Sequence, residues 1–597
     1  MRLVLALLLS TAVPAAAGAQ SAAPTAAASE GAKLRRIFAA SDEAALRRNP
    51  IMALFRGDLR YADRFGDNLT PAYEAAERQA LIDNLAALKT VDRARLSPAD
   101  RLAYDVFRTD NARELKGWAP AIVELTRLLP VNHFGGFQTF YPDLASGKGA
   151  APFKTLADYE KNLKRNAGYA ALTDRMIARA RAGMARGITP PKLVVRNVIA
   201  QLNNLLAGSV EQSLFYAPVT RFPDAVPTAD RARLTAAYAA QVRDVINPAH
   251  RRLRDFLQSD YLPRARDTVG LSALPGGAAL YDHLIESNTT LPMTADAVHR
   301  LGLSEVKRIL AAMEQQKQRA GFTGTLPAFF RFLRTDPKFQ PKSAAEISAG
   351  YQAIGKRVDA RVREQFTLIP KTPLEIRPVP AFREKTDAAG SYQQGTPDGT
   401  RPGVFYYNTY DLPNRYLWGM ETLYLHEAVP GHHFQLSLAQ ENAALPAFMR
   451  FGGNTAFAEG WALYAETLYA ELGMETDPYQ RMGGLNDEML RAMRLVVDSG
   501  LHAKGWSRDQ AIRYMLDNSP MPESDAVAEV ERYIAIPGQA LAYKIGALTI
   551  QRLKARAKAE LGAKFDPRAF HAAVLDTGAL PMPVLEEKLT AWIAAHR

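Results

Sequence analysis

His426-Glu427-Ala428-Val429-Pro430-Gly431-His432-His433 gathers three of the chain's ten histidines and a carboxylate into eight residues. The surrounding sequence reads as helix from Leu417 onward, with breaks near Pro446, Gly473, Pro520 and Pro537. A glutamate directly after a histidine is where hydrolytic zinc sites keep a general base beside a metal ligand. In a regular helix the second histidine would follow four residues later, one turn along the same face; here that position is Pro430. The available histidines lie six and seven residues on, and seven residues of straight helix rise about 10 Å, too far to share one ion. Pro430 removes a helical hydrogen bond and Gly431 tolerates unusual dihedrals. The stretch therefore predicts a helix broken at Pro430-Gly431, with His432 or His433 turned back toward His426. Treating Pro-Gly as a two-residue insertion favours His432; aligning Gln435 with related motifs favours His433.

Downstream, Phe457-Ala-Glu-Gly-Trp-Ala-Leu-Tyr-Ala-Glu466 begins a proline-free helix expected over 455–472, with Glu459 as the third ligand. Two imidazoles and a distant carboxylate form the ligand set of a catalytic zinc that keeps one position open, and this donor chemistry makes zinc the default ion. Gly460 would let a second helix approach closely. Glu466, seven residues after Glu459, is either an outer partner that orients a ligand histidine or an ordinary exposed carboxylate.

Outside this region the pattern is mainly α. Ser97-Pro98-Ala99-Asp100 reads as a cap, a first-turn proline and a first-turn acid. Apolar positions recur at helical spacing over 155–185, 191–213, 228–258, 296–320 and 343–366, with Thr228 and Ser343 as caps. Pro and Gly cluster in connections at 129–153, 217–227, 263–277 and 321–342. Residues 367–410 alternate instead, and Val404-Phe-Tyr-Tyr-Asn-Thr409 reads as a strand. A small sheet is thus expected just ahead of the His-Glu helix, with the strand carrying Tyr407 as an edge to which an extended peptide could add.

The chain has 597 residues, 47% of them hydrophobic, which is ample for a large core. The formal charge of +12 arises from 74 basic and 62 acidic residues without a long like-charge run, so nucleic acid is not an expected partner. Arg2, the apolar run Leu3–Leu9 and Ala17-Gly18-Ala19 match a secretory signal over residues 1–19, with a flexible tail expected over 20–31. The apolar run is too short to span a membrane. With no cysteine in the sequence, neither a cysteine-linked lipid anchor nor a disulfide is expected. These features anticipate a periplasmic or secreted protein without a stable membrane anchor.

The combined pattern His-Glu-x-x-Pro-Gly-His-His-x-Gln, Ala-Glu-Gly-Trp, Arg494-Leu-Val-Val-Asp-Ser-Gly-Leu-His502 and Arg532-Tyr-Ile-Ala-Ile-Pro-Gly-Gln-Ala-Leu-Ala-Tyr-Lys-Ile-Gly546 resembles the bacterial family labelled domain of unknown function 885, from about residue 35 to the end. That family is similar, distantly, to all-helical zinc peptidases such as angiotensin-converting enzyme, oligopeptidases and thermostable carboxypeptidases. The resemblance implies a large helical body with a deep central channel, residues 32–366 lining it and 367–597 forming a metallopeptidase-like catalytic region. It also implies peptidase chemistry.

The expected roles follow from that chemistry. His426, Glu459 and either His432 or His433 hold zinc, and Glu427 is the general base. Tyr543 is the first choice for a second oxyanion donor, with Tyr533 and His502 behind it. Lys544 and Arg532, helped by Gln539, would clamp a substrate carboxylate. The function expected is an exported zinc peptidase acting on short peptides, and from their C-terminus if the carboxylate clamp forms. The alternatives are a metal-dependent amidase on a peptide-like molecule and a non-catalytic peptide-binding protein, the latter disfavoured because a binder has no use for Glu427.

Overall fold

Short-range signals start the helices. Ser97 accepts a hydrogen bond from the Asp100 amide at the head of Pro98–Gly117, and Ser343 accepts one from the Glu346 amide at the head of Ala344–Gln365. Thr228 is instead the first residue of Thr228–Gln241; Pro227 stands in the cap position and no side chain bonds there. The computed structural model describes residues 26–380, 384 and 388–597. The signal-like segment 1–19 lies outside them. The tail read as flexible over 20–31 is described only from residue 26, where helix Ala26–Arg48 begins.

The fold is mainly helical with one three-stranded sheet. The stretch expected as one helix over 228–258 is interrupted by π-helical turns at Val242–Ile246 and Leu257–Tyr261. The one expected over 191–213 ends at Leu206, just before Gly208, whose φ of +91° is incompatible with continued helix. The described residues contain no helix long and apolar enough to cross a membrane.

The sheet consists of β1 (Leu374–Pro378), β2 (Gly390–Gln393) and β3 (Gly403–Tyr407), in the order β1-β3-β2. β3 pairs in parallel with β1 and antiparallel with β2. It is therefore the central strand, and the edge expected at Tyr407 is not there: both of its sides are already hydrogen-bonded. Val404, Phe405 and Tyr407 are buried, and the Tyr407 hydroxyl meets Ser348 of the Ala344–Gln365 helix.

Two close helix pairs position the functional residues. Ala295–Arg319 lies along Pro478–Ala503, where a Cβ on Gly302 would come within 2.7 Å of both the Leu495 and Val496 side chains. Thr455–Glu466 crosses Leu541–Leu561 at glycine. A Cβ on Gly460 would sit 2.6 Å from the Gly546 backbone, and one on Gly546 would sit 1.9 Å from the Ala456 carbonyl oxygen. This contact of bare backbones brings the helix carrying Glu459 against the helix carrying Tyr543. The largest apolar core joins Leu34, Phe38 and Phe107 near the start of the chain to Tyr424, Leu425, Trp461 and Ile550. The site helices thus rest on packing drawn from both ends of the sequence.

Candidate metal centre

The backbone turns where proline and glycine predict. Helix Met420–Glu427 ends at Ala428, and a new helix, His432–Glu441, starts directly after Gly431. The Val429–Pro430 peptide is cis. Trp461 Nε1 donates to the Pro430 carbonyl over 2.9 Å, tying the turn to the Glu459 helix. Gly431 packs directly on the preceding turn: a Cβ there would lie 1.8 Å from the His426 carbonyl oxygen and 2.5 Å from that of Leu425. Only a residue without a side chain fits, and this contact folds His432 back over His426.

His426, His432 and Glu459 each present a donor atom, all within 4.8 Å of one another. Glu459 Oε2 lies 3.3 Å from His432 Nε2 and 3.7 Å from His426 Nε2. Donors of a tetrahedral zinc with bonds near 2.0–2.1 Å stand about 3.3 Å apart, so these separations suit one ion. Glu459 Oε2 is buried and has no hydrogen-bond partner among the described residues. A buried carboxylate oxygen left unpaired between two imidazoles is poorly accounted for by protein contacts alone, and a cation would satisfy it.

The outer partner of His426 is Glu466. Its Oε1 accepts from His426 Nδ1 at 2.6 Å and its Oε2 from the Thr422 hydroxyl at 3.1 Å. With Nδ1 engaged by Glu466, Nε2 is the ring nitrogen left facing Glu459. Arg491 Nη2 lies 3.6 Å from the same Glu466 oxygen. Glu466 is 5% exposed, which decides between its two sequence readings in favour of the orienting one. Burial pushes the Glu459 carboxyl up, but the His432 and His426 imidazoles outweigh it and hold the group well below the carboxylate range. Burial pushes His426 down, and the Glu459 and Glu466 carboxylates facing it outweigh this and raise it to about 9.

His433 points elsewhere. Its Nδ1 meets the Tyr392 hydroxyl at 3.0 Å, and burial lowers its pKa to about 4. Glu427, in the last turn before the kink, is 9% exposed. The Tyr543 ring lies 6.4 Å from that of His426 and within 13° of parallel.

The remaining candidates fall into two groups. Arg532 and Gln539 join Tyr543: Arg532 Nη2 donates to the phenol oxygen at 3.1 Å and to Gln539 Oε1 at 2.7 Å. Tyr533, Lys544 and His502 are absorbed by the interior. The Tyr533 hydroxyl donates to Glu529 and accepts from Arg494 Nε. Lys544 is 1% exposed and paired with Glu488 at 2.7 Å and Glu305 at 2.9 Å, so no ammonium is free to clamp a substrate there. His502 Nδ1 accepts from the Leu271 amide, its Nε2 meets the Tyr533 carbonyl at 3.0 Å, and burial lowers it to about 4. With both ring nitrogens used by backbone, it cannot serve as an oxyanion donor. Lone charged or aromatic residues carry no mark of such pairing in sequence. Arg494 heads one of the quoted motifs, but Glu529 and Phe134, which join it around Arg532 and Tyr543, lie outside them; the three-residue step from Glu529 to Arg532, a pairing distance on a helix, is the signal that the sequence carries for this group.

The family described as "Bacterial protein of unknown function (DUF885)" matches residues 50–589. The fold is similar to that of a "putative lipoprotein" from Colwellia psychrerythraea, with a TM-score of 0.88 and 29% identity over 95% of this chain and 99% of that one. A "putative lipoprotein of unknown function" from Shewanella oneidensis shares the fold at a TM-score of 0.71 and 18% identity, over 93% and 99% of the two chains. No curated protein matches the sequence.

Proposed function

Starting from the fact that the chain belongs to DUF885, a bacterial family of unknown function, we propose that it is an exported, zinc-dependent peptidase acting on short peptides. The observation that carries this reading is the convergence of His426, His432 and the unpaired Glu459 oxygen, with Glu427 adjoining His426 in sequence. Two imidazoles and a carboxylate are a donor set that suits a catalytic zinc with one open position. The secretory pattern of residues 1–19 and the lipoprotein names of the two structural relatives support export.

His426, His432 and Glu459 would hold the ion, and Glu466 keeps His426 in the tautomer that can bind it. When bound, zinc supplies Lewis acidity toward a carbonyl oxygen and toward water. Glu427 takes the proton of the attacking water and delivers it to the leaving amine nitrogen. Tyr543, whose hydroxyl stays protonated because burial and the nearby Glu459 charge raise its pKa, donates to the developing oxyanion. Arg532 holds that hydroxyl in place from behind.

The test joins metal analysis to a peptide-library digest. The purified protein is expected to contain about one zinc per chain and to cleave short peptides; Glu427→Gln keeps the metal and loses nearly all turnover. A protein that binds zinc and peptides but cleaves none would overturn the peptidase reading in favour of a binding protein.

A further inference from the structure

Two guanidiniums lie against Tyr543. Arg494 lies over its ring, with Cζ 4.4 Å from the centroid, and Arg532 reaches it from the side at 5.8 Å. Both guanidiniums draw on Glu529. Arg494 makes two bonds of 3.0 Å to it, and Arg532 Nη1 one contact of 3.4 Å. Tyr533 also donates to that carboxylate. Arg532 spends its Nη2 donors on neutral groups, Gln539 and Tyr543. Its Nε and Arg494 Nη1 are buried without a partner among the described residues. Among the described residues both guanidiniums thus make their ion pairs to this one carboxylate, in a mostly buried setting where an unpaired donor is costly.

The outer side of Arg532 is covered by an aromatic ring held out in solvent. Phe134, 49% exposed, has its centroid 5.3 Å from Arg532 Cζ. It belongs to the connection before helix Phe137–Ala145, and that connection is pinned to the helix carrying Arg532. Asn132 Oδ1 accepts from the Phe134 and Gly135 amides at 2.8 Å each, and Asn132 Nδ2 donates to the Ala535 carbonyl at 2.6 Å. Gln201 Nε2 fastens the His133 carbonyl at 2.7 Å. An exposed phenylalanine fixed by several hydrogen bonds over an arginine is a built surface rather than a stray apolar residue.

Building on the peptidase reading, we infer that Arg532, with Gln539 and Phe134, forms the subsite for the C-terminal carboxylate of the peptide, and that Phe134 packs on its last side chain. The unpartnered Arg532 Nε offers a carboxylate one charge-assisted hydrogen bond, and a second parallel one forms when Nη2 exchanges Gln539 or Tyr543 for it. The apolar ring beside it selects an apolar or aromatic last residue over glycine. Arg532 Nη2 lies at most about 12 Å from the centre of the His426 ring, measured along Tyr543. An extended chain advances about 3.5 Å per residue. The span therefore allows at most about three residues between a bond at the metal centre and the anchored terminus.

The experiment measures binding of N-acetyl-Ala-Ala-Phe, its C-terminal amide, N-acetyl-Ala-Ala-Gly and the amidated N-acetyl-Ala-Glu-Phe to the Glu427→Gln protein by calorimetry. The free acid ending in Phe should bind at least about tenfold tighter than its amide, as loss of a charge-assisted pair predicts. The amidated Glu peptide tests whether a side-chain carboxylate substitutes for the terminal one and should bind no better than the plain amide. Arg532→Met should abolish the acid-over-amide ratio, and Phe134→Ala should lower the Phe-over-Gly ratio while leaving acid over amide in place. If Arg532→Met does not fold, the acid–amide comparison on its parent and the surface variant Phe134→Ala decide alone. Equal binding of acid and amide, or an amidated Glu peptide as tight as the free acid, overturns the subsite. Acid selectivity without any hydrolysis by the unmutated protein would sink the peptidase reading and leave the subsite standing; hydrolysis without acid selectivity would do the reverse.

Discussion

Gly431→Ala should dismantle the proposed metal centre without touching a candidate ligand. The new methyl carbon would start 1.8 Å from the His426 carbonyl oxygen and 2.5 Å from the Leu425 carbonyl oxygen. Non-bonded heavy atoms rest at about 3.5 Å, so the two strands of backbone must part by something on the order of 1.5 Å. The obstructing atoms are main chain and cannot swing aside. Metal–ligand bonds tolerate only about 0.2 Å, and His432 is the very next residue, so its imidazole leaves the position that Glu459 and His426 share. Loss of an outer partner alone typically costs 10–100-fold in metal affinity; displacing a ligand should cost at least about 100-fold. Overpacking adds roughly 1–3 kcal/mol of destabilisation. The assay is zinc affinity by competition with a chromophoric chelator, together with a thermal melt of the zinc-free protein. Gly453→Ala is the control, because a Cβ there meets nothing closer than Ala579 at 3.7 Å. Zinc affinity in Gly431→Ala within about threefold of the parent would refute the reasoning that this glycine contact sets the ligand geometry.

His432→Ala should remove most bound zinc whereas His433→Ala should remove little, since His433 meets Tyr392 instead; equal zinc content in the two variants would contradict this assignment. Glu466→Ala leaves all three ligands but frees the His426 ring, so zinc affinity should fall about 10–100-fold, and an unchanged affinity would mean that the 2.6 Å bond does not orient the ligand. Glu475 tests the pH behaviour. Burial raises its pKa to about 8, against the opposing Arg481 at 2.7 Å. The folded protein therefore holds this proton more tightly than the unfolded chain, which releases it near pH 4.5. That contribution is fully present below about pH 4.5 and is lost as pH rises toward and through 8. Glu475→Gln, which mimics the protonated form, should gain stability relative to the parent between pH 5 and 9, by an amount on the order of 3 kcal/mol. Parallel denaturation curves at both pH values would remove Glu475 as the source.

Local chemistry was legible in the sequence because it depends on neighbours along the chain. Helix starts at Ser97 and Ser343, the small sheet before the His-Glu segment and the break at Pro430-Gly431 all follow from the side chains and backbone freedom of a few adjacent residues. The same holds for the candidate donors, since two histidines and a helical glutamate offer nitrogen and oxygen atoms wherever they sit. Tertiary structure alone decided what those groups face. A one-residue step separates His432 from His433, and only the Gly431 contact with the preceding turn aims one toward Glu459 and the other toward Tyr392. Lys544 and Arg532 look alike as cations in the chain, yet one is cancelled by two glutamates from distant helices and the other shares a single carboxylate. Tyr407 reads as a strand residue either way, and its burial follows from β3 being flanked on both sides. Phe134 gains meaning only from lying over Arg532, some four hundred residues away in the chain. Such pairings arise from packing between remote segments, which residue spacing does not encode.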